Sequence, residues 1–250
     1  MFNRLFRKTH KRSGPLLAAG RRIYAVGDIH GRNDLLAALH LKILADADGH
    51  DGEKEVVYLG DYVDRGLDSK AVLDLLIHDP LPGFRSTHLM GNHEQALLEF
   101  LTNIEICQSW LTFGGGATLH SYGVPFDVVQ PSDDDYRALQ QALIQRLPKD
   151  HLAFLAALKP YLTVDGYLFV HAGVRPGVAL GDQTAADLLW IRGEFLASEA
   201  DHGHVVVHGH SVTFEPEVRE NRIGIDTGAY ATGVLSCVVL EGDSQRVLHT

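Results

Sequence analysis

Residues 55–66 read EVVYLGDYVDRG, a short apolar run that meets a glycine and then a cluster of charged side chains. An apolar run bounded by glycine signals a buried strand, so the charged cluster sits at that strand's C-terminal end. The same arrangement stands on either side. Upstream, residues 22–26 (RIYAV) run into Gly27-Asp28-Ile29-His30-Gly31, and downstream residues 85–90 (RSTHLM) run into Gly91-Asn92-His93-Glu94. Between these strands the period changes. Leucines recur at helical spacing over 35–44, where Asn33 or Asp34 can cap a helix. Ser69 can cap another over 70–78, stopped by Pro80, and 93–103 reads as a third.

Strand, loop and helix three times over imply βαβ units and a largely parallel sheet. Right-handed crossovers put all three strand C-termini on one edge, where open α/β sheets bind ligands. The middle of the chain is less regular. Residues 113–118 (FGGGAT) read as a glycine-rich loop, 132–135 (SDDD) as a helix N-terminus or solvated loop, and 149–158 as a helix that Pro160 ends. The last third turns to β. Residues 161–164 and 167–171 flank Asp165-Gly166, a two-residue hairpin signal, and strands follow at 205–208, 222–226, 234–240 and 245–249. One α/β domain with two sheets over 21–250 is the simplest account, preceded by a flexible basic tail over 1–20.

Composition narrows the function. The 250 residues carry a formal net charge of −10, the wrong sign for a protein whose main partner is nucleic acid. No stretch approaches the ~20 apolar residues of a membrane span, so stable membrane insertion is not expected. Cys107 and Cys237 match no metal-binding spacing and read as two separate buried thiols. A cytoplasmic location is expected.

Two further strands end in the same kind of cluster: 167–171 in His171-Ala172-Gly173, and 205–208 in His208-Gly209-His210. Each of the five clusters is polar, sits at a strand end and is flanked by glycine, which permits sharp turns and close ligand approach. Asp, Asn and His together suit manganese, iron or zinc better than a pure magnesium or calcium site. On an extended segment, Asp28 and His30 would point to one side and grip one ion.

GDIHG, GDYVDRG and GNHE, followed by HAG and a late GH, resemble the phosphoprotein phosphatase branch of the calcineurin-like metallophosphoesterases, and within it the compact bacterial and phage serine/threonine phosphatases. The resemblance runs from about Arg22 to the C-terminus. It implies a single-domain sandwich of two mixed β-sheets flanked by helices, with two divalent metal ions, manganese first and iron or zinc as alternatives. Asp28 and His30 would bind the first metal, Asp61 would bridge both, and Asn92, His171 and His210 would complete the second. Two cations about 3.5–4 Å apart clamp the attacking and leaving oxygens, and a shared hydroxide would attack phosphorus in line. His93 would be the general acid, oriented by Asp64. Arg65 would hold the phosphate, with Arg192 as a second clamp.

One departure concerns the late motif. Many relatives end in Gly-His-x-His, whereas Gly209-His210-Ser211 is followed by Val212. His210 is therefore aligned with the second metal, the first is expected to have three protein ligands plus water, and His208 becomes a strand-end residue beside the site. The resemblance implies a serine/threonine protein phosphatase acting on a phosphorylated protein or peptide. The alternative is a diadenosine tetraphosphate hydrolase, with a cyclic nucleotide phosphodiesterase behind it. Asp64 is the discriminator, because those nucleotide hydrolases usually lack Asp in that slot. A metal-binding scaffold that has lost activity is disfavoured, since no ligand or acid is missing.

Overall fold

The three strand–loop–helix repeats open the chain as β1 (Arg21–Val26), α1 (Asn33–Ala47), β2 (Glu53–Tyr58), α2 (Ser69–His78), β3 (Arg85–His88) and α3 (Asn92–Phe100). The computed structural model describes residues 16–126 and 131–250. Helices α4 (Cys107–Trp110), α5 (Gly116–Ser121), α6 (Asp133–Arg146) and α7 (Lys149–Ala156) follow. The last part holds β4 (Tyr161–Val164), β5 (Tyr167–Val170), α8 (Ala185–Trp190), β6 (Val205–His208), β7 (Glu217–Val218), β8 (Arg222–Gly224), β9 (Ser236–Glu241) and β10 (Ser244–His249).

The strands form two mixed sheets, ordered β10-β9-β1-β2-β3 and β4-β5-β6-β8-β7. β1, β2 and β3 are parallel, as the repeats predict, and β9 returns antiparallel beside β1. In the second sheet β5, β6 and β8 are parallel, with β4 and β7 antiparallel at the edges. Alternation along β1 explains the layering. Tyr24 and Val26 face a cluster with Leu36, Leu73, Leu97 and Leu143 of the helices, while Ile23 and Ala25 face Phe169, Val207 and Ile225 of the other sheet. The second sheet's outer face, with Leu168, Val170 and Val206, is covered by Leu188 and Leu189 of α8 and by Phe195. Strands buried on both faces read as continuous apolar runs rather than clean alternation. The result is the four-layered arrangement of helices, sheet, sheet and helices that the resemblance implied.

Several local expectations change. α1 starts at Asn33 behind Arg32, without a side-chain cap. Ser69 begins α2 without capping it; its hydroxyl instead accepts from the Asp64 N–H and meets Thr118. α3 stops at Phe100 rather than Asn103. Residues 113–118 are helical rather than loop, broken only at Gly114 (φ 111°). Ser132 caps α6 reciprocally with Asp135, which accounts for the acidic run. Residues 1–15 of the expected tail lie outside the described residues; of the rest, Leu17 is buried between the sheets and its N–H donates to Gly242. Both cysteines are free and buried. Among the described residues no helix is long and apolar enough to cross a membrane.

Candidate active site

Register places the strand ends side by side. Val26 pairs with Tyr58, and Tyr58 with His88, so the segments after β1, β2 and β3 emerge level. They are then tied together: the Ile29 and His30 N–H groups donate to the Asp61 carbonyl at 3.0 and 2.8 Å. The second sheet brings its own strand ends alongside, with Gly209 N–H donating to the His171 carbonyl and Ile225 N–H to that of His208. Among the described residues, six non-glycine residues have positive φ. Five of them are His30 (47°), Asp61 (52°), Asp64 (71°), Arg65 (68°) and His210 (63°). Such conformations cost about 1–3 kcal/mol each and persist where surrounding structure over-determines them. The expectation that Asp28 and His30 lie on one extended segment fails for this reason: the backbone turns left-handed at His30.

Asp61 is the centre. Donor atoms of His30, Asp61 and His93 lie within 4.8 Å of one another, as do those of Asp61, His171 and His210, so Asp61 belongs to both groups. His171 Nε2 also lies 2.8 Å from Asn92 Oδ1. Asp28 belongs to neither group; it is buried, and its carboxylate accepts from the His210 N–H at 3.0 Å. The tautomers are legible. His30 Nδ1 pairs with the Val63 carbonyl at 2.9 Å, His171 Nδ1 with the Leu59 carbonyl at 2.9 Å, and His210 with the backbone of Trp190. A neutral imidazole that donates at Nδ1 presents a lone pair at Nε2. His30 Nε2 and His210 Nε2 are buried without a hydrogen-bond partner, and His171 Nε2 faces oxygen acceptors. Buried lone pairs turned on one another and on carboxylates are costly unless a cation sits among them.

Electrostatics agree. Burial lowers the His30 imidazole to about 3 and that of His210 to about 2, and it lowers His171 as well, despite the Asp61 charge nearby. Burial together with the charges of Asp226 and Asp61 pushes the Asp28 carboxyl well up, and burial pushes Asp226 to about 6. Asp61 is pulled the other way: burial raises it, but His171, His93, His30 and His210 outweigh that. Buried carboxylates and neutral imidazole nitrogens in this arrangement fit divalent cations of the harder transition-metal type.

His93 differs from the other imidazoles. Burial lowers it, but Asp61 and Asp64 more than compensate, and the net shift is upward. Its Nδ1 lies 2.7 Å from Asp64 Oδ2. Its Nε2 faces the centre, 3.8 Å from Asp61 Oδ2, and accepts from Arg65 Nη2 at 3.2 Å. The Arg65 guanidinium lies over the Tyr230 ring, 4.6 Å from its centroid. Arg192 is exposed and is not within a helix; it follows α8 and donates to the His210 carbonyl at 2.8 Å, which holds it at the rim. His208 is brought close in chain but not to the centre. Its Nδ1 meets the Gly209 carbonyl, its ring packs edge-on to Phe195, and it is in neither group around Asp61.

Sequence reasoning passed over several residues. Glu94 is fully buried, and its carboxylate accepts from the N–H groups of Asp61, Tyr62, Val63 and Gly91 at 2.7–3.2 Å. It thereby fastens the turn after β2 to the start of α3. Burial and the Asp61 charge push this carboxyl up to about 8, yet four N–H donors on two oxygens match the ionised form, which the geometry favours. Asp226 was legible in principle: Asp226-Thr227-Gly228 repeats the strand-end acid and glycine of the other clusters. Trp110 and Thr118, which hold Asp64, carried no local signal.

The sequence profile of the calcineurin-like phosphoesterases matches residues 21–228. The chain is 25% identical over 228 residues to an asymmetrical bis(5'-nucleosyl)-tetraphosphatase of Oceanobacillus iheyensis, covering 83% of this chain and 84% of that one. It is 27% identical over 224 residues to serine/threonine-protein phosphatase 2 of Salmonella typhimurium, covering 86% and 91%. Among solved structures it resembles a candidate diadenosine tetraphosphatase, with a TM-score of 0.63, 20% identity and coverage of 94% and 96%. That last likeness supports the fold, while the profile, which spans β1 to β8 and every strand-end cluster around Asp61, shows that the chain belongs to the calcineurin-like phosphoesterase family.

Proposed function

We propose that this phosphoesterase is a serine/threonine protein phosphatase acting on phosphorylated proteins or peptides with two divalent cations, manganese first and iron or zinc as alternatives. The observation that carries the reading is the buried Asp64–His93 pair at 2.7 Å, with His93 Nε2 turned to the centre. An alkyl phosphate releases a strongly basic alkoxide and needs a proton as the ester bond breaks. A polyphosphate anhydride releases a weakly basic phosphate and needs none.

Asp28, His30 and Asp61 would hold one cation, and Asp61, Asn92, His171 and His210 the other. Two cations held there would supply charge neutralisation for the phosphoryl group and activation of a water. Arg65 and Arg192 would grip the phosphate oxygens in charge-assisted hydrogen bonds. Arg65 spends its Nη2 donor on His93 Nε2 here; a bound phosphate would draw it away and leave that nitrogen free to carry the proton for the leaving oxygen.

The second reading is a dinucleoside polyphosphate hydrolase, favoured by the similarity to the Oceanobacillus tetraphosphatase. The test is kcat/KM with Mn²⁺ for a phosphothreonine peptide against diadenosine tetraphosphate. Preference for the peptide supports the phosphatase, and preference for the dinucleotide overturns it.

A further inference from the structure

The glycine-rich run at 113–118 has no part in gripping metal or phosphate, yet it packs against the Asp64–His93 pair. Trp110 at the end of α4 is completely buried and stacked on Phe100, with ring centroids 4.7 Å apart. Its indole N–H donates to Asp64 Oδ2 at 3.0 Å, the same oxygen that His93 Nδ1 meets at 2.7 Å. From the other side, the Thr118 hydroxyl donates to Asp64 Oδ1 at 2.6 Å. The Asp64 N–H points back to Thr118 Oγ1 at 2.9 Å and Ser69 Oγ at 3.1 Å. Both carboxylate oxygens are thus claimed, and the backbone at φ 71° is fixed from beneath.

The intervening glycines make this packing feasible. A Cβ on Gly115 would sit 2.8 Å from Trp110 Nε1, inside the ring's contact distance. A Cβ on Gly114 would sit 2.8 Å from Arg65 Cγ, and the Gly114 carbonyl accepts from the Arg65 N–H.

We propose that Trp110 and Thr118 are positioning residues of the reaction, clamping the Asp64 carboxylate so that His93 stays aimed at the leaving oxygen. The inference rests on the assignment of His93 as general acid. A free carboxylate turns about its own bond, and an imidazole held only by that carboxylate turns with it. An indole N–H and a hydroxyl, one on each oxygen, remove this freedom without touching substrate. Their loss would harm the step that needs a well-placed proton and spare the steps that do not.

The experiment compares turnover of a phosphothreonine peptide, whose leaving group is an alkoxide, with turnover of p-nitrophenyl phosphate, whose leaving group departs without help. Wild type, Trp110→Phe, Thr118→Val, Thr118→Ser and His93→Asn are assayed with Mn²⁺, and bound metal is counted in each. A positioned acid contributes about 10²–10⁴-fold. Trp110→Phe and Thr118→Val should each forfeit part of that, lowering kcat on the peptide about 10- to 100-fold and on the aryl ester by less than about threefold, with metal content unchanged. Thr118→Ser, which keeps the hydroxyl, should recover most of the loss seen in Thr118→Val. Equal losses on both substrates, or no loss on either, overturn the positioning role. If His93→Asn itself fails to discriminate between the substrates, the acid assignment falls first, and that result stands apart from the behaviour of Trp110 and Thr118.

Discussion

Three consecutive glycines should respond to alanine in three different ways. Gly116 has ordinary helical angles (φ −57°, ψ −34°) and open space where a Cβ would go. Alanine there should stabilise by about 0.5–1 kcal/mol, because glycine in a helix carries an entropic cost. Gly115 is also helical (φ −59°), so its backbone would accept alanine. Its Cβ, however, would push into the Trp110 ring. Overpacking a filled interior costs about 1–3 kcal/mol. If the ring moves to relieve the clash, it loses the 3.0 Å bond to Asp64, and hydrogen bonds to charged groups contribute about 1.5–3 kcal/mol. The two routes bound the loss for Gly115→Ala at about 1–3 kcal/mol, a sizeable share of the 5–15 kcal/mol that holds typical domains together. Gly114→Ala adds a different penalty, since φ 111° is strained for any residue with a Cβ, and it presses on Arg65. Thermal melts followed by circular dichroism at fixed Mn²⁺ would rank the variants, at roughly 2–4 °C per kcal/mol for a chain of this size. The expected order is Gly116→Ala at or above wild type, with Gly115→Ala and Gly114→Ala well below. A Gly115→Ala variant that melts with wild type and retains alkyl phosphatase activity would refute the placement of Trp110 against Asp64.

Other outcomes follow from the same geometry. Asp61→Asn should abolish turnover together with metal binding, whereas His93→Asn should abolish alkyl phosphate turnover while metal content, read by elemental analysis, stays at the wild-type level. Asp226→Asn removes a buried carboxylate close to Asp28, and with it negative charge that would attract a cation, so it should weaken Mn²⁺ binding in calorimetry by about 10- to 100-fold; unchanged affinity would exclude Asp226 from supporting the centre. Away from the centre, burial lowers His40 and His88 to about 4. A histidine held neutral in the fold but protonated near 6.5 when unfolded contributes stability that is fully present above 6.5 and is lost as pH falls toward 4. His40→Gln should therefore flatten the rise of stability with pH across that window by about 1.4 kcal/mol per unit, measured by urea unfolding at several pH values. A parallel curve would mean that His40 charges as readily in the fold as out of it.

Much of this protein is written locally. The apolar runs at β1 and β2, each closed by glycine, announce buried strands, and the change from strand to helical period announces crossovers, because backbone geometry sets those periods within a few residues. Asp28, His30, Asp61, Asn92, His171 and His210 stand out as candidates in the sequence because each lies just past a strand, and parallel strands deliver their ends to one edge. What the chain does with those ends is decided by contacts between distant residues. Only the fold shows that His30 and His171 pair Nδ1 with backbone carbonyls, that His30 Nε2 and His210 Nε2 are buried without a hydrogen-bond partner, that Asp61 lies in both groups of donors, and that His208 packs on Phe195 instead. The run at 113–118 reads as a loop because three glycines depress helix propensity; packing overrides that weak preference, since Trp110 and Arg65 occupy the space that side chains at 114 and 115 would need. Trp110 and Thr118 meet Asp64 across 46 and 54 residues, and a side chain's partner at that separation is chosen by the close-packed interior, not by its neighbours in sequence.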